Sequence, residues 1–251
     1  MTHPLTILTG ASRGMGLAMA EQLLDAGHDL LCISRKHNDA LVLRASRTGR
    51  RCEQWPHDLS QPETAAARLE IWLAGLAVAD IASVTLINNA GLLPRIAPLS
   101  AIPAAELASA LRVDLEAPML LTSAFLRATQ SWPVPRKVLN ISSGLGRRPM
   151  ASQAAYCAAK AGMDLFTRCM ALEEAAHPNG AKVCSLAPGV IDTDMQVFLR
   201  SADANQFPDI GNFVGMKDKG VLSSPSDAAA KVLAVLARPD FGTNPVADVR
   251  D

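Results

Sequence analysis

The sequence predicts an α/β fold, in which a doubly wound parallel sheet carries helices on both of its faces. Short apolar runs of strand length alternate with helical patterns along the 251 residues, and this alternation is typical of parallel strands joined by crossover helices. No repeat, low-complexity tract or linker divides the chain, so we expect a single domain over residues 1–251. Aromatic residues make up only 4 % of the sequence, which predicts an aliphatic, alanine-rich core.

Six strands are predicted in chain order. They cover residues 5–8, 28–33, 51–57, 83–87, 138–141 and 181–186. Helical patterns occupy the stretch from Gly16 to Gly27 and residues 62–77, 103–129, 154–172 and 226–236. Residues 194–222 lack clear periodicity but contain large apolar side chains, and we expect an irregular lid over a substrate site. The tail after Pro245 is expected to be extended and to leave the last strand.

A glycine-rich turn stands between the first predicted strand and the first predicted helix. It reads TGASRGMG over residues 9–16. Glycines permit a tight turn and the close approach of a pyrophosphate, while the helix N-terminus supplies unpaired N–H groups and the positive end of the helix dipole. The spacing G-x-x-x-G-x-G differs from the common G-x-G-x-x-G, but the flanking strand and helix favour dinucleotide binding.

Cations rather than carboxylates follow the second predicted strand. The chain continues there with Ser34, Arg35 and Lys36, and Arg13 lies in the glycine-rich turn. A carboxylate at this strand end would bind the ribose 2′-hydroxyl of NAD, whereas cations suit the 2′-phosphate of NADP. The alternative is a solvated basic turn, but the missing carboxylate favours NADP(H) as the cofactor.

Tyr156 and Lys160 stand four residues apart in a predicted helix and therefore share one helix face. A tyrosine holds its proton up to about pH 10. Because a neighbouring ammonium group favours the phenolate, we expect Lys160 to lower the pKa of Tyr156. Ser143, at the end of the preceding strand, is placed to hydrogen-bond the same substrate oxygen. Taken alone, the Y-x-x-x-K spacing favours a surface tyrosine and lysine on an ordinary helix, and the rest of the chain has to decide.

Composition argues against several classes of protein. The chain holds 24 Lys and Arg against 24 Asp and Glu, so no basic field is available for nucleic acid or an anionic membrane surface. No apolar run approaches the length of a membrane span, and the N-terminal apolar run is too short for a signal peptide. The five cysteines are scattered without C-x-x-C spacing, which favours free thiols in a cytoplasmic protein over disulfides or a metal site.

Small or polar residues recur where the predicted strands end. They are Gly10, Arg35, Asp58, Asn88, Ser143 and Pro188. Ligands of open parallel sheets bind beyond the carboxyl ends of the strands. We therefore expect these residues to line one site.

These motifs resemble those of the short-chain dehydrogenase/reductases over nearly the whole chain. They are TGASRGMG at 9–16, NNAG at 88–91, ISS at 141–143, YCAAK at 156–160 and APGVIDT at 187–193. The resemblance implies a Rossmann-type fold in which Tyr156 is the catalytic acid and base and Ser143 binds the substrate oxygen. It also implies that Lys160 lowers the tyrosine pKa and binds the nicotinamide ribose.

The same resemblance implies the residues that bind the cofactor. Asp58 and Leu59 would flank the adenine, Asn88 would contact the adenosine ribose, and residues 190–193 would contact the nicotinamide amide. The implied set is Gly10, Ser12, Arg13, Gly14, Met15, Gly16, Ser34, Arg35, Asp58, Leu59, Asn88, Ala90, Gly91, Tyr156, Lys160, Pro188, Gly189, Val190, Ile191 and Thr193.

Asp114 departs from the family pattern. Members of the family usually carry asparagine at the matching position of the fourth helix, where it supports a water linked to the lysine. A carboxylate can still accept a hydrogen bond from that water. We therefore expect Asp114 to be catalytic, with an altered proton relay.

The C-terminal third is similar to the sepiapterin reductases and benzil reductases within the family. The similarity rests on APGVIDTDMQ at 187–196 and on the stretch from Leu236 to Asp251. An aspartate near the end of this tail binds the pterin in sepiapterin reductases, and Asp248 lies at the matching place. The alternative is a solvated aspartate in a charged terminus.

The expected activity is an NADPH-dependent reduction of a ketone or dicarbonyl, with Ser143, Tyr156 and Asp248 on the substrate. An alcohol dehydrogenase or a 3-oxoacyl reductase on the same fold would use the same residues and remains open. A non-catalytic NADP-binding sensor or scaffold is the alternative from another class. Relatives imply a homodimer or homotetramer, and no metal, nucleic acid or membrane is expected as a partner.

Overall fold

Residues 2–251 are described by a computed structural model, and the strands within them form one parallel sheet. In chain order the strands are β1 (His3–Thr9), β2 (Asp29–Ser34), β3 (Cys52–Pro56), β4 (Ile81–Asn88), β5 (Arg136–Ile141), β6 (Lys182–Ala187) and β7 (Val246–Asp248). The six predicted strands are confirmed, and their ends differ from the prediction by no more than two residues.

Helices connect these strands and cover both faces of the sheet. They are α1 (Gly14–Asp25), α2 (Asp39–Thr48), α3 (Pro62–Ala74), α4 (Ala104–Leu111), α5 (Ala117–Thr129), α6 (Ala154–Ala175), α7 (Asp194–Arg200), α8 (Ile210–Asp218) and α9 (Pro225–Ala237). None of the helices between residues 2 and 251 is both long and apolar enough to cross a membrane.

The order of the strands creates a crevice on the side of the sheet where the strands have their carboxyl ends. Across the sheet the order is β3-β2-β1-β4-β5-β6-β7, and every neighbouring pair is parallel. The chain moves outward from β1 to β2 and β3, then returns to β4 on the other side of β1. Such a reversal opens a crevice beyond the carboxyl ends of the strands, where ligands of doubly wound sheets bind.

Each face of the sheet has its own apolar core. On one face α3 and α5 pack over the strands, and Leu69 and Phe125 are fully buried. On the other face α1 and α9 pack against each other and the sheet, and Met19 and Val232 are fully buried. Close packing on both faces confirms the predicted fold class.

The helices differ from the prediction in two places. The predicted helix over residues 103–129 is interrupted, because a π-helical turn at Arg112–Glu116 separates α4 from α5. Helix α2 was not predicted at all. It buries only Leu41 and Ala45, so its apolar periodicity is weak, although Asn38 caps its first turn and Gly49 ends it in the left-handed conformation.

The expectation of irregular structure over residues 194–222 is wrong. The segment contains α7 and α8. Leu199 of α7, Phe213 of α8 and Phe207 of the connection between them pack with Ile96 in a separate small core. These helices are short, so a sequence window of ordinary length averages over both of them and the connection between them. The segment stays a predicted lid, and we call residues 194–222 the lid below.

The two ends of the lid meet at one point of the structure. Asp192 N donates to the Ser223 carbonyl at 2.9 Å, and Ser223 N donates to the Val190 carbonyl at 2.9 Å. This short ladder closes the base of the lid. The chain therefore enters and leaves the lid at the same place, beside β6.

The C-terminal tail is extended, as predicted, and it also belongs to the sheet. Ser185, Leu186 and Ala187 of β6 pair with Val246, Ala247 and Asp248 of β7. The sequence analysis did not predict this seventh strand, because three residues are too few for a periodic pattern. The pairing brings Asp248 to the carboxyl edge of the sheet.

Replacing Gly16 by alanine should destabilise the fold. A Cβ there would lie 2.1 Å from the Gly10 carbonyl oxygen and 2.5 Å from Asn89 Nδ2, so the turn must shift, at a cost of about 1–3 kcal/mol. Gly215→Ala is the matched control, because its Cβ would meet open space within α8 and alanine gains up to about 1 kcal/mol there. Urea unfolding measures both changes, and equal stabilities for the two variants would contradict this packing.

Candidate active site

The glycine-rich turn lies where the strand order reverses, between β1 and β4. Gly10 has φ of +70° and Gly14 has φ of +56°, values that favour glycine. A Cβ on Gly10 would lie 2.9 Å from the Cα of Ala90. The turn therefore packs directly against the NNAG segment, where Ala90 and Gly91 leave the crevice open.

The first turn of α1 is built to receive an anion. Arg13 stands at its N-cap and makes no side-chain cap, so backbone N–H groups of this turn remain available. From the β2 side, Ser34 Oγ accepts from Ala11 N at 2.8 Å, and Asn38 Nδ2 donates to the Ser12 carbonyl at 3.4 Å. A glycine cradle ahead of an uncapped helix fits a pyrophosphate, which would be held by Gly10, Ser12, Gly14, Met15 and Gly16.

The residues predicted on the adenosine side come together where β2 and β3 end. Arg35 is exposed, and Leu59 is buried beneath the turn after β3. The Ser60 backbone N–H donates to Asp58 at 2.9 Å and, together with the charge of Arg35, holds the pKa of Asp58 below its ordinary value. Arg35 therefore lies near the predicted adenine site, as expected from the sequence.

Arg13 has a different partner from the one predicted. It forms an ion pair with Asp194 at the start of α7, so it links the glycine-rich turn to the lid. Thr193 faces the same turn, with its Cγ2 3.6 Å from the position of a Cβ on Gly14. This pair uses only Nη1 of the exposed Arg13 side chain, and the predicted role of Arg13 at a 2′-phosphate stays a prediction.

The two asparagines of the NNAG segment have different hydrogen-bond partners. Asn88 is buried, and its Nδ2 donates to Thr122 Oγ1 at 3.1 Å and to Asn140 Oδ1 at 2.8 Å. Its carboxamide thus ties β4 to β5 and α5, and its contact with the adenosine ribose stays a prediction. Asn89 Nδ2 donates to the Thr9 carbonyl at 3.0 Å, which fixes the segment against the glycine-rich turn.

Ser143, Tyr156 and Lys160 meet at the carboxyl end of β5. Lys160 Nζ lies 5.6 Å from the centre of the Tyr156 ring and donates to the Ile141 carbonyl at 2.9 Å. The Ser143 hydroxyl lies close enough to that of Tyr156 to lower the pKa of the tyrosine. Tyr156 is 9 % exposed and Lys160 3 % exposed, so the alternative of a surface tyrosine and lysine is wrong.

The ionisation of Tyr156 differs from the expectation. Burial and the nearby charge of Asp114 raise the pKa of Tyr156, against the hydrogen bond from Ser143. Burial lowers the pKa of Lys160, against the charges of Asp114 and Asp164. The expected lowering of the tyrosine pKa by Lys160 is therefore wrong for this structure, because desolvation dominates both groups. Tyr156 keeps its proton at neutral pH, as a proton donor must.

Asp114 lies fully buried in the π-helical turn between α4 and α5, a kind of turn that is frequent at functional sites. Its Oδ1 accepts from Leu92 N at 2.7 Å, whereas Oδ2 has no hydrogen-bond partner. Burial raises the pKa of Asp114 to about 6, although Lys160 and the Leu92 N–H oppose the rise. A carboxyl group in this range can carry a proton and donate it, as the amide of asparagine donates an N–H.

Asp164 is a residue of this site that the sequence analysis missed. Its Oδ1 accepts from Ser142 Oγ and Ser185 Oγ, both at 2.6 Å, and its Oδ2 accepts from Arg147 Nε at 3.2 Å. Asp164 thus joins the ends of β5 and β6 to α6. The sequence feature that could have indicated Asp164 is its position four residues after Lys160, on the same helix face.

The segment predicted to hold the nicotinamide amide runs from the end of β6 to the base of the lid. Gly189 has φ of +82°, and Ile191 pairs with Ser223 in an isolated bridge. With Pro188, Val190 and Thr193, these residues border the crevice on the side opposite Arg35. The structure thereby gathers the predicted cofactor residues along one edge of the sheet.

A cavity of about 490 Å³ adjoins this edge. It is bordered by Leu92, Leu93, Pro94, Arg95, Ile96, Glu106, Ser109, Phe198 and Gln206. Arg95 and Glu106 neutralise each other across a contact of 2.7 Å. The remaining lining is largely apolar, and the lid supplies part of it.

Asp248 is buried at the end of β7 and already has a partner. Arg250 Nε donates to its Oδ1 at 2.7 Å, and Arg250 Nη2 donates to its Oδ2 at 2.6 Å. This pairing lowers the pKa of Asp248. A substrate with N–H donors must displace Arg250 to reach this carboxylate, and the substrate role of Asp248 stays a prediction.

Comparison with known proteins identifies similar chains. The family model for short chain dehydrogenases matches residues 5–204. A protein of Bacillus cereus named benzil reductase ((S)-benzoin forming) is 34 % identical over 235 residues, which cover 94 % of each chain. The sepiapterin reductase of Bos taurus is 32 % identical over 259 residues, covering 98 % of this chain and 94 % of that one.

A solved structure has the same fold. It is a 3-oxoacyl-[acyl-carrier protein] reductase of Brucella melitensis in complex with NAD, with a TM-score of 0.81 and 22 % identity. The alignment covers 99 % of this chain and 96 % of that chain. The likeness extends over the whole sheet and its helices.

Asp114→Asn should change the pH dependence of stability. Wild-type Asp114 keeps its proton in the folded state up to about pH 6, whereas the unfolded chain releases it near pH 3.9. The wild type therefore loses stability at this residue as pH rises between these values. The free energy of unfolding of Asp114→Asn minus that of wild type should rise by about 2 kcal/mol between pH 4.5 and pH 7.5.

Urea unfolding at the two pH values measures this difference. The conservative exchange Asp240→Asn on the surface serves as a control, since Asp240 is exposed and its pKa is lowered by Arg238. A difference for Asp114→Asn that is flat with pH would show that Asp114 is ionised throughout.

Proposed function

The chain belongs to the short chain dehydrogenase family, and on that premise we propose that it is an NADPH-dependent reductase of ketones and dicarbonyls. One observation supports the proposal above the others. Tyr156 and Lys160 are buried side by side with the half-buried Ser143 close to them, near a glycine cradle that fits a pyrophosphate. Both this cluster and the cradle lie at the carboxyl ends of the parallel strands.

The residues of this cluster divide the chemistry between them. The glycine cradle would hold NADPH, which would supply the hydride that reduces the carbonyl carbon. Ser143 and Tyr156 donate hydrogen bonds to the carbonyl oxygen and stabilise the negative charge that develops there. Tyr156 then gives its proton to that oxygen, as a general acid.

Lys160 and Asp114 position and resupply this proton. Lys160 is bonded to the Ile141 carbonyl, so its ammonium group stays close to the tyrosine ring. The free Oδ2 of Asp114 can accept or donate a proton, and the charge of Asp114 acts on both Tyr156 and Lys160. We assign to these two residues the return of a proton to Tyr156 after each turnover.

The dicarbonyl substrate class rests on the relatives and the cavity. Benzil and sepiapterin give their names to the reductases that are 34 % and 32 % identical. The cavity near Leu92 combines apolar side chains with the Arg95–Glu106 pair and other polar groups, and its apolar part suits an aromatic ring. An alcohol dehydrogenase or a 3-oxoacyl reductase is the second candidate, because the solved structure with the same fold has the latter activity in its name.

A non-catalytic sensor or scaffold is disfavoured. Such a protein has no need of a buried lysine and a buried, unsatisfied carboxylate, both of which cost stability. Both are present here, beside Tyr156. Sites that keep such groups at this cost are usually catalytic.

We also propose that two copies associate through α5 and α6. Met119, Leu165 and Leu172 are exposed on these helices, and Leu172 is 78 % exposed. Leu165 and Leu172 stand seven residues apart and so share one exposed face of α6, and exposed apolar faces favour burial against a partner. A C₂ dimer is the commonest arrangement for such a surface.

Tyr156→Phe should reduce turnover by at least about a hundredfold, because it removes the general acid and leaves the ring in place. The Kd for NADPH should change little, since the cradle is untouched. NADPH oxidation with benzil measures turnover, and NADPH fluorescence measures binding. Near-normal turnover of the variant would contradict the mechanism.

NADPH should bind more tightly than NADH, and Arg35→Ala should remove most of the difference. Losing a charge-assisted hydrogen bond to the 2′-phosphate costs roughly 1.5–3 kcal/mol, or about ten- to a hundredfold in affinity. Arg47→Ala is the matched control, because Arg47 is exposed at the end of α2. Equal Kd values of the wild type for NADPH and NADH at moderate salt would refute the cofactor assignment.

A further inference from the structure

Asp164 is a buried carboxylate of α6 that takes no part in the proposed proton transfer. Its Oδ1 accepts from Ser142 Oγ and Ser185 Oγ, both at 2.6 Å, and its Oδ2 accepts from Arg147 Nε at 3.2 Å. Both oxygens of the carboxylate therefore already accept hydrogen bonds. Asp164 can influence the reaction through its charge and through what it holds in place.

Asp164 and Lys160 contact consecutive residues at the end of β5. Lys160 Nζ donates to the Ile141 carbonyl at 2.9 Å, and the next residue of the strand, Ser142, donates to Asp164. Residues four apart on a helix are neighbours, with Cβ atoms about 5–6 Å apart. The ammonium group and the carboxylate thus lie on one face of α6, against the same strand end.

The turn after β5 packs directly on this pair. A Cβ on Gly146 would lie 2.9 Å from the Lys160 carbonyl oxygen and 3.1 Å from Asp164 Oδ2, so only glycine allows this close approach. The next residue, Arg147, donates to Asp164 and also to the Ala247 carbonyl of β7 at 2.8 Å. Asp164 is therefore held between the ammonium group of Lys160 and a guanidinium group that β7 fixes.

Two carboxylates act on the charge of Lys160. Burial lowers the pKa of Lys160, and the charges of Asp114 and Asp164 oppose this lowering. Asp114 keeps a proton up to about pH 6 and is assigned to the proton relay, so its charge changes during turnover. Asp164 has no free oxygen for the relay, and its charge on Lys160 is constant.

Other titratable groups surround the pair on α6 and on the elements packed against it. They are Tyr156 and Cys157 on α6, Asp114 on the π-helical turn, Arg147 after β5, Cys184 on β6, Asp248 on β7 and the surface ion pairs Arg95–Glu106 and Arg112–Glu116. Burial raises the pKa of Tyr156 and raises that of Cys184 to about 11. Asp248 is bound by Arg250.

We propose that Asp164 is a positioning residue of the reductase, whose charge keeps the Lys160 ammonium group protonated beside Tyr156 while Arg147 limits this effect by sharing the charge. This inference rests on the proposed reductase activity and adds a residue that acts through Lys160. When Tyr156 gives up its proton, the ammonium group stabilises the phenolate that forms. A neutral lysine cannot do so, and proton donation becomes slower.

Removing the charge of Asp164 should move the alkaline limit of activity to lower pH. Asp164 holds the pKa of Lys160 up against burial, so in Asp164→Asn the ammonium group loses its proton at a lower pH. We expect kcat/KM for benzil at saturating NADPH to decline at least about one pH unit lower than in the wild type. Asparagine keeps the size of the side chain and can still accept from both serine hydroxyls.

Further variants separate the charge of Asp164 from its packing. Asp164→Glu keeps the charge and should keep the alkaline limit of the wild type, even where its extra methylene lowers kcat. Arg147→Met removes the cation that shares the charge and should move the limit upward, opposite to Asp164→Asn. Arg238→Met and Asp240→Asn are matched controls, because they remove the two halves of an exposed ion pair, and they should leave the pH profile unchanged.

A titration of Lys160 itself gives a readout that does not depend on activity. Protein labelled with ¹³C at the lysine Cε is titrated by NMR without cofactor, and the Lys160 signal is identified by its absence in Lys160→Gln. This signal reports Lys160 separately from the thiols of Cys157 and Cys184. The pKa measured for Lys160 should be at least about one unit lower in Asp164→Asn and higher in Arg147→Met.

The outcomes distinguish this inference from the proposed function. An unchanged pKa of Lys160 in Asp164→Asn, or a downward shift in Arg147→Met as well, overturns the role of Asp164 whatever the enzyme reduces. A wild type that oxidises NADPH with no dicarbonyl overturns the proposed function and, with it, any part of Asp164 in the reaction. Where Asp164→Asn fails to fold, the direction of the shift in Arg147→Met decides the question.

Discussion

The site depends on the burial of one charged side chain, Lys160, at the carboxyl end of β5. A lysine ammonium group in an apolar interior is unfavourable unless other groups solvate it. Here the Ile141 carbonyl accepts its hydrogen bond, and Asp114 and Asp164 supply negative charge. Because these partners lie on β5, the π-helical turn and α6 itself, α6 has one position that satisfies them all, and that position sets Tyr156 beside Ser143.

Asp164 also fixes the position of α6, through hydrogen bonds to the ends of two strands. It accepts from Ser142 on β5 and Ser185 on β6, so both strand ends are joined to α6 below Lys160. Arg147 donates to Asp164 and also to the Ala247 carbonyl of β7 at 2.8 Å. Polar networks of this kind are costly unless complete, and this one connects the catalytic helix to the three last strands. The lid lies outside this network and is connected to the rest of the protein at its base, through the Arg13–Asp194 ion pair and through a small core that includes Ile96.

The sequence predicted the sheet and the proximity of Tyr156 and Lys160 because both depend on local patterns. Strands appear as apolar runs, and Tyr156 and Lys160 appear as a spacing within a helix. Helix α2 and the lid helices were missed because they bury few side chains or are short. Asp164 carries no motif, since its role depends on neighbours far along the chain and on burial. The direction of the Tyr156 pKa was mispredicted for the same reason: desolvation is a property of the folded chain.

Transfer of deuterium from NADPH labelled at C4 tests the central claim most directly. The protein is incubated with benzil and NADPH deuterated at both C4 positions, and the alcohol is analysed by mass spectrometry and NMR. The account predicts one deuterium on the carbinol carbon and a hydroxyl proton that exchanges with water, because carbon receives the hydride and Tyr156 supplies only the proton on oxygen. Oxidation of NADPH without deuterium on the carbinol carbon, or no oxidation at all, would contradict it.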